Sequence, residues 1–253
     1  MPQVRLGFGK LLSGPPVPRA AELNAWLPDW PNLDNNRVRG FAVIHYGGAV
    51  YFMAQEVPAG VHIVAVLGSV RPANFTAKAL ALVADELRKR GVALDVVDPA
   101  RLTLPPPGIA PDTPDAQAVR ETVARATGVI LATPEYHGSF SSVMKLMIEN
   151  LGFPSVLAGK PVALLGVAAG QIGAIKSLEA LASVCTHVGA IVLPGAVSVA
   201  GVQRLFDSEG RCLDAGVEKR IRSVATNLID YIHGNICPRM ALEEMVRGAA
   251  RNA

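Results

Sequence analysis

Ser69, Arg71, Asn74 and Thr76 fall close together in the stretch GSVRPANFT, between a β-branched apolar run and a helical pattern. Two hydroxyls, an amide and a guanidinium at a helix start are the groups that bind a terminal monoester phosphate. The first turn of a helix leaves backbone N–H groups without partners, and the macrodipole adds partial positive charge there. Arg71 supplies a full charge. The spacing is neither G-x-G-x-x-G nor G-x-x-x-x-G-K-[ST], so the dinucleotide fingerprint and the Walker A loop both fit poorly. The same residues also suit a plain strand-to-helix turn with a solvated arginine, a common unit in α/β sheets.

The strand that delivers this loop starts at Val61, and the chain then repeats the unit. From Thr76 to Arg90 the apolar residues Leu80, Val83 and Leu87 share a helical face, and Arg88, Lys89 and Arg90 before Gly91 suit a helix C-terminus. A second strand spans Val92 to Val97. Thr113 and Pro114 supply a cap and a first-turn proline for a helix through Ala126. Gly128 to Thr133 is a third strand, Ser142 to Leu151 a short helix, and Pro161 to Val167 a fourth strand. Ala174 to Val188 is a helix with Ile175, Leu178, Ala182 and Cys185 inward. Ala190 to Leu193, continued by Val197 to Val199, makes a fifth strand, and the helix from Val217 to Ile232 buries Ile221, Val224, Leu228 and Ile232. Five strands alternating with helices imply an α/β fold: a doubly wound five-stranded parallel sheet with helices on both faces.

Half of the 253 residues are hydrophobic and only 18% are charged, which suits one large domain with an extension. With a net charge of +3 and no basic run, nucleic acid is not an expected partner. Cys185, Cys212 and Cys237 are widely spaced and form no C-x-x-C pair, so neither a disulfide framework nor a metal site is expected, and the reducing cytoplasm is the natural home. Residues 1–59 stand apart from the repeat as an N-terminal extension. Their run from Phe41 to Ala54 is too short and too interrupted to span a bilayer, so no membrane partner is expected. The run suits a hairpin turning at Gly47-Gly48, or the segment lies upstream of a functional start at Met53. The domain proper is expected over residues 60–234, with 235–253 as a C-terminal tail.

Ligands bind such sheets where the carboxyl ends of the strands converge. Two more loops reach that edge. Thr133 to Ser142 (TPEYHGSFSS) follows the third strand and Ala168 to Gly173 (AAGQIG) the fourth. Together the three loops give a phosphate cradle and two walls for a flat ring system, with glycines 138, 170 and 173 letting backbone approach a planar ligand.

GSVRPANFT, TPEYHGSFSSVMKLMIENL and AAGQIG resemble the motifs of the NADPH-dependent FMN reductase family of flavodoxin-like proteins, relatives of the chromate, quinone and azo reductases. The likeness spans about residues 61 to 232. It implies FMN as cofactor and NADPH or NADH as co-substrate. By this resemblance Ser69, Arg71, Asn74, Phe75 and Thr76 hold the FMN phosphate. Pro134, Glu135, Tyr136, His137, Gly138 and Ser139 line the isoalloxazine, largely through backbone groups, and Ala169, Gly170 and Gly173 stand on the other side. His137 replaces a frequent asparagine, Ser141-Ser142 a common proline-glycine pair, and the AAGQIG loop lacks a double glycine.

In such proteins the flavin carries the chemistry between nicotinamide and acceptor, so no acid-base dyad is needed. Glu135 is expected to be structural. The resemblance further implies a homodimer or homotetramer, with the helix from Val143 to Leu151 as an interface element, and a small-molecule acceptor: free flavin, a quinone, an azo compound or a metal oxyanion. An electron carrier without nicotinamide activity and a noncatalytic flavin-binding protein are the other classes. Carriers of this fold are strongly acidic; a slightly basic chain with Arg71 in the phosphate loop favours the reductase.

Overall fold

Alternating apolar strands and capped helices build the main unit. The computed structural model describes residues 43–46, 49–52, 60–108, 112–240 and 243. They divide into one unit spanning Ala59–Ile236 and a second combining Met1–Pro58 with Cys237–Ala253. In the second unit β1 (Val43–Tyr46) and β2 (Ala49–Phe52) pair antiparallel with Tyr46 opposite Ala49, a register that leaves two residues to connect them. The expected turn at Gly47-Gly48 and the expected start at Met53 lie outside the described residues.

The main unit runs β3 (His62–Leu67), α1 (Phe75–Lys89), β4 (Ala93–Val97), α2 (Pro114–Arg125), β5 (Gly128–Tyr136), β6 (Ser139–Phe140) and α3 (Ser142–Glu149). It continues with β7 (Pro161–Val167), α4 (Ile175–His187), β8 (Ile191–Val192), β9 (Val197–Val199) and α5 (Ala215–Tyr231). Short polar side chains start four of these helices: Asn74, Thr113, Ser141 and Asp214 each accept a hydrogen bond from an amide in the first turn. The parallel strands are ordered β4-β3-β5-β7-β8, with β9 beside the second half of β7. The second strand on the outside of the first, then the third, fourth and fifth, is the flavodoxin-like order.

Helices cover both faces, so the central strands are apolar throughout. β7 is buried along its whole length, and β5 from Gly128 to Pro134. The inner faces of α1 (Leu80, Val83, Leu87) and of the α5 segment (Ile221, Val224, Leu228, Ile232) are buried as their spacing predicts. Each such side chain contributes about 1.5–3 kcal/mol by leaving water. Arg222 on α5 reaches Asp85 on α1 at 2.6 Å and the Leu82 carbonyl at 3.2 Å, tying the two helices together.

The structure departs from the sequence-based expectation in three places. The fifth strand is two fragments, because Pro194 and Gly195 (φ +82) interrupt it: Ile191 lies opposite Pro161, and Val197 opposite Leu165. Ile175, expected inward on α4, is 47% exposed and Ala182 half-buried, while Leu178 and Cys185 are buried as expected and Leu181 completes their stripe. Ile175 is the first helical residue, and a stripe in the sequence does not say where along it packing begins. The third strand, expected to end at Thr133, runs on to Tyr136 and turns back into β6.

Candidate functional site

The carboxyl ends of β3, β5 and β7 lie side by side, and the three loops leave from them. After β3, Gly68 donates its amide to the Ala132 carbonyl at 2.7 Å. A Cβ there would meet that same oxygen at 2.7 Å and the Met144 methyl at 2.9 Å, so only glycine permits the approach. Ser69 follows, 3% exposed, and its Oγ has no hydrogen-bond partner. A buried hydroxyl left unsatisfied asks for an explanation, and in a loop feeding a helix start the ready one is a ligand oxygen.

Asn74 is the cap of α1. Its Oδ1 accepts from the Ala77 amide at 2.7 Å and its Nδ2 donates to the Arg71 carbonyl at 2.7 Å, so the side chain expected to bind phosphate shapes the loop. The amides of Phe75 and Thr76, ahead of the capped position, carry no intrahelical bond. Thr76 is buried at the second helical position, while the Phe75 ring packs on Phe206 with centroids 6.4 Å apart. Ala73 holds φ +50, a conformation that costs a non-glycine residue about 1 kcal/mol and is tolerated where a loop must be shaped for function.

The second loop is a hairpin. Tyr136 pairs with Ser139 across His137 (φ +52) and Gly138 (φ +72), the two positive φ values that a type I′ turn requires. Histidine is, with asparagine and aspartate, among the few side chains enriched in that conformation. That explains on backbone grounds why His137 stands where asparagine is frequent. Glu135 turns its Oε2 to the Ser177 amide at 3.1 Å, capping α4, whose own cap residue Ala174 makes no side-chain bond. Its carboxylate is therefore engaged by the start of α4. Ser141 accepts from the Met144 amide at 3.0 Å to start α3 and donates its hydroxyl to the Gly68 carbonyl at 2.6 Å, linking this loop to the β3–α1 loop.

Between these loops opens a cleft of about 550 Å³ lined by Arg71, Glu135, Tyr136, His137, Phe140, Ser141 and Ser142. It brings Arg71 together with Glu135, Tyr136 and His137; Pro134, Gly138 and Ser139 of the hairpin and Ser69, Asn74, Phe75 and Thr76 of the first loop, also named from the sequence, are not among its lining residues. The Arg71 guanidinium carbon lies over the Tyr136 ring, 4.6 Å from its centroid. Phe140, Ser141 and Ser142 line the cleft without having been singled out; the signal for Ser141 was its place as a cap three residues before Met144.

The third loop does not line this cleft. Gly173 (φ +82) is held there by the fold, since a Cβ would run into the Ser198 hydroxyl, and that hydroxyl accepts from the Ala174 amide. At Gly170 a Cβ would meet nothing within 4 Å, so the fold itself makes no demand for glycine. Ala169 and Gly170 are exposed at the sheet edge, one residue beyond the buried Ala168.

The model of the NADPH-dependent FMN reductase family matches residues 61–203, more than half of the chain. The protein belongs to that family. A 2-hydroxy-1,4-benzoquinone reductase of Burkholderia sp. is 32% identical over 135 residues, 52% of this chain and 73% of the relative. The NADPH-dependent FMN reductase ArsH of Shigella flexneri is 27% identical over 187 residues, 71% of each chain. In fold the chain is similar to FerB, an NAD(P)H:(acceptor) oxidoreductase of Paracoccus denitrificans, with TM-score 0.57 and 22% identity over 69% of this chain and 98% of that one.

As an NADPH-dependent FMN reductase, the protein is an NAD(P)H-dependent oxidoreductase that uses FMN. The residues present fit that cofactor. The orphaned Ser69 hydroxyl, the free amides at the start of α1 and the Arg71 charge form one donor set, next to a cleft with an aromatic wall. Cys185 is buried, and desolvation pushes its thiol up to about 12, which disfavours the thiolate. Among the described residues no helix is long and apolar enough to cross a membrane.

Proposed function

We propose that the cleft between the β3–α1 loop and the β5–β6 hairpin is the FMN site of a reductase that passes electrons from NADPH to a quinone. The buried, unpartnered Ser69 hydroxyl beside Arg71 carries this reading. Ser69, Arg71 and the amides of Phe75 and Thr76 hold the phosphate, with Thr76 beside them and Asn74 fixing the loop. The hairpin from Pro134 to Ser139 supplies a wall for the ring system through backbone, while Ala169, Gly170 and Gly173, which do not line this cleft, are left out of that wall.

FMN, when bound, supplies the hydride-accepting centre between nicotinamide and acceptor. The chain binds, orients and shields. Positive φ at His137 and Gly138 presents the turn backbone without a bulky side chain in front of it at 138. Glu135 and Ser141 hold that turn against α4 and against Gly68, so the orientation is set before substrate arrives. A quinone acceptor is supported by the benzoquinone-reductase relative. The reading extends to a cytoplasmic location, which three widely spaced cysteines without a pairing motif suit, and to a homodimer or homotetramer, supported by Phe153, which is 97% exposed just beyond α3.

The test is optical. Under argon, NADPH should bleach the visible absorbance of the FMN-loaded full chain, and a quinone should restore it with ping-pong kinetics. Bleaching by dithionite but by neither NADPH nor NADH would replace the reading with that of an electron carrier.

A further inference from the structure

Tyr136 and Arg71 come from different loops, separated in sequence by 65 positions, yet their side chains meet in the cleft with the guanidinium carbon 4.6 Å from the ring centroid. No ion pair among the described residues uses Arg71. Its long chain is exposed, and among the described residues the Tyr136 ring is the contact that restrains it. We infer that Tyr136 is a positioning residue for phosphate recognition: its ring face holds the Arg71 guanidinium so that the N–H fork is presented to the FMN phosphate. This deepens the proposed FMN site and rests on that reading.

The two contacts do not compete for the same part of the guanidinium. A ring quadrupole attracts the cation through its face, while the donors point outward in the plane of the group, where they are free for two parallel bonds to phosphate oxygens. A flexible arginine that must be ordered on binding gives up rotamer freedom, and a stack present beforehand removes part of that loss. Tyr136 itself stays put because its strand is pinned on both sides: Tyr136 pairs with Ser139, and Glu135 is anchored on the Ser177 amide. The hairpin therefore serves the phosphate at a distance, through a side chain of the other loop. The phenolic hydroxyl is not needed for this; the ring is.

Flavin-fluorescence titration of the full chain freed of cofactor reads the effect, with FMN and riboflavin compared for each variant. The quantity that matters is the ratio of the two affinities, because any role of Tyr136 against the ring system affects both ligands alike. Tyr136→Leu should lower the FMN-over-riboflavin ratio by about two- to fivefold. Tyr136→Phe should leave it unchanged, and in an Arg71→Ala background Tyr136→Leu should not move it further. An equal loss of FMN and riboflavin affinity in Tyr136→Leu would overturn the inference, and so would a ratio that rises, which would mean the ring withholds the arginine from the phosphate. Failure of the wild-type chain to prefer FMN over riboflavin would instead sink the FMN-site reading beneath it.

Discussion

The two loops that face each other across the cleft solve opposite problems. In the β3–α1 loop two polar groups are left open while Asn74 shapes the turn: Ser69 has a buried hydroxyl with no partner, and Arg71 pairs with no described carboxylate. In the β5–β6 hairpin the polar groups are spent on the fold itself: Glu135 on the Ser177 amide, Thr133 on the Ser141 amide, and Ser141 on Gly68 and Met144. A site can thus recognise one end of a ligand by side chains kept in reserve and the other by a backbone made rigid. The first kind of loop should lose ligand when cut, the second stability.

The point where the loops touch should be the most sensitive. Gly68→Val forces a Cβ against the Ala132 oxygen and the Met144 methyl, and should cost about 3 kcal/mol of stability in a denaturant titration. Stability within error of wild type would show that the loops are not held so closely. Arg71→Ala comes next, on the ligand side of the contrast. It should weaken FMN binding by about 1.5 to 3 kcal/mol, with riboflavin nearly indifferent and the melting temperature unchanged. Equal losses for both flavins would place the arginine away from the phosphate.

On the hairpin side the prediction is conformational. His137→Asn should be near neutral, since asparagine accepts φ +52, while His137→Val should cost about 1 to 2 kcal/mol. If the two variants unfold at the same denaturant concentration, the turn geometry is not what selects the residue. Ser141→Ala should remove about 1 kcal/mol by uncapping α3.

The smallest effect lies outside both loops and serves as their control. His233, in the π-turn Ile232–Ile236 after α5, has a buried Nε2 with no partner. Desolvation holds its pKa below the usual 6.5, against a smaller opposing pull from Asp230. The unfolded chain then binds the proton more readily than the folded one. Stability present above pH 6.5 should decline as pH falls from there towards the folded-state pKa. His233→Phe should flatten that part of the melting curve against pH without altering flavin affinity, and an unchanged pH slope would dismiss the histidine as its source.

Sequence pattern reached the framework easily, because burial on both sheet faces leaves nearly continuous apolar runs and because Thr113 with Pro114 announces a helix start. It reached Arg71, Tyr136 and His137 as cleft residues through motif order. It missed what depends on partners far along the chain. Nothing near Glu135 says that its carboxylate will cap a helix forty residues on, since Ala174 shows only the lack of a local cap. The hairpin was hidden because His-Gly is a weaker turn signal than Asn-Gly. Asn74 was assigned to the ligand because a capping amide and a phosphate-binding amide look alike in one dimension.

The Ser141 hydroxyl reaches Gly68 across the gap at 2.6 Å while also receiving the amide that starts α3. A proline at that place, as in the pair the Ser141-Ser142 step replaces, has no hydroxyl and can form no such tie. In this protein the spacing between the hairpin and the β3–α1 loop is therefore fixed at one point by the span of a single serine.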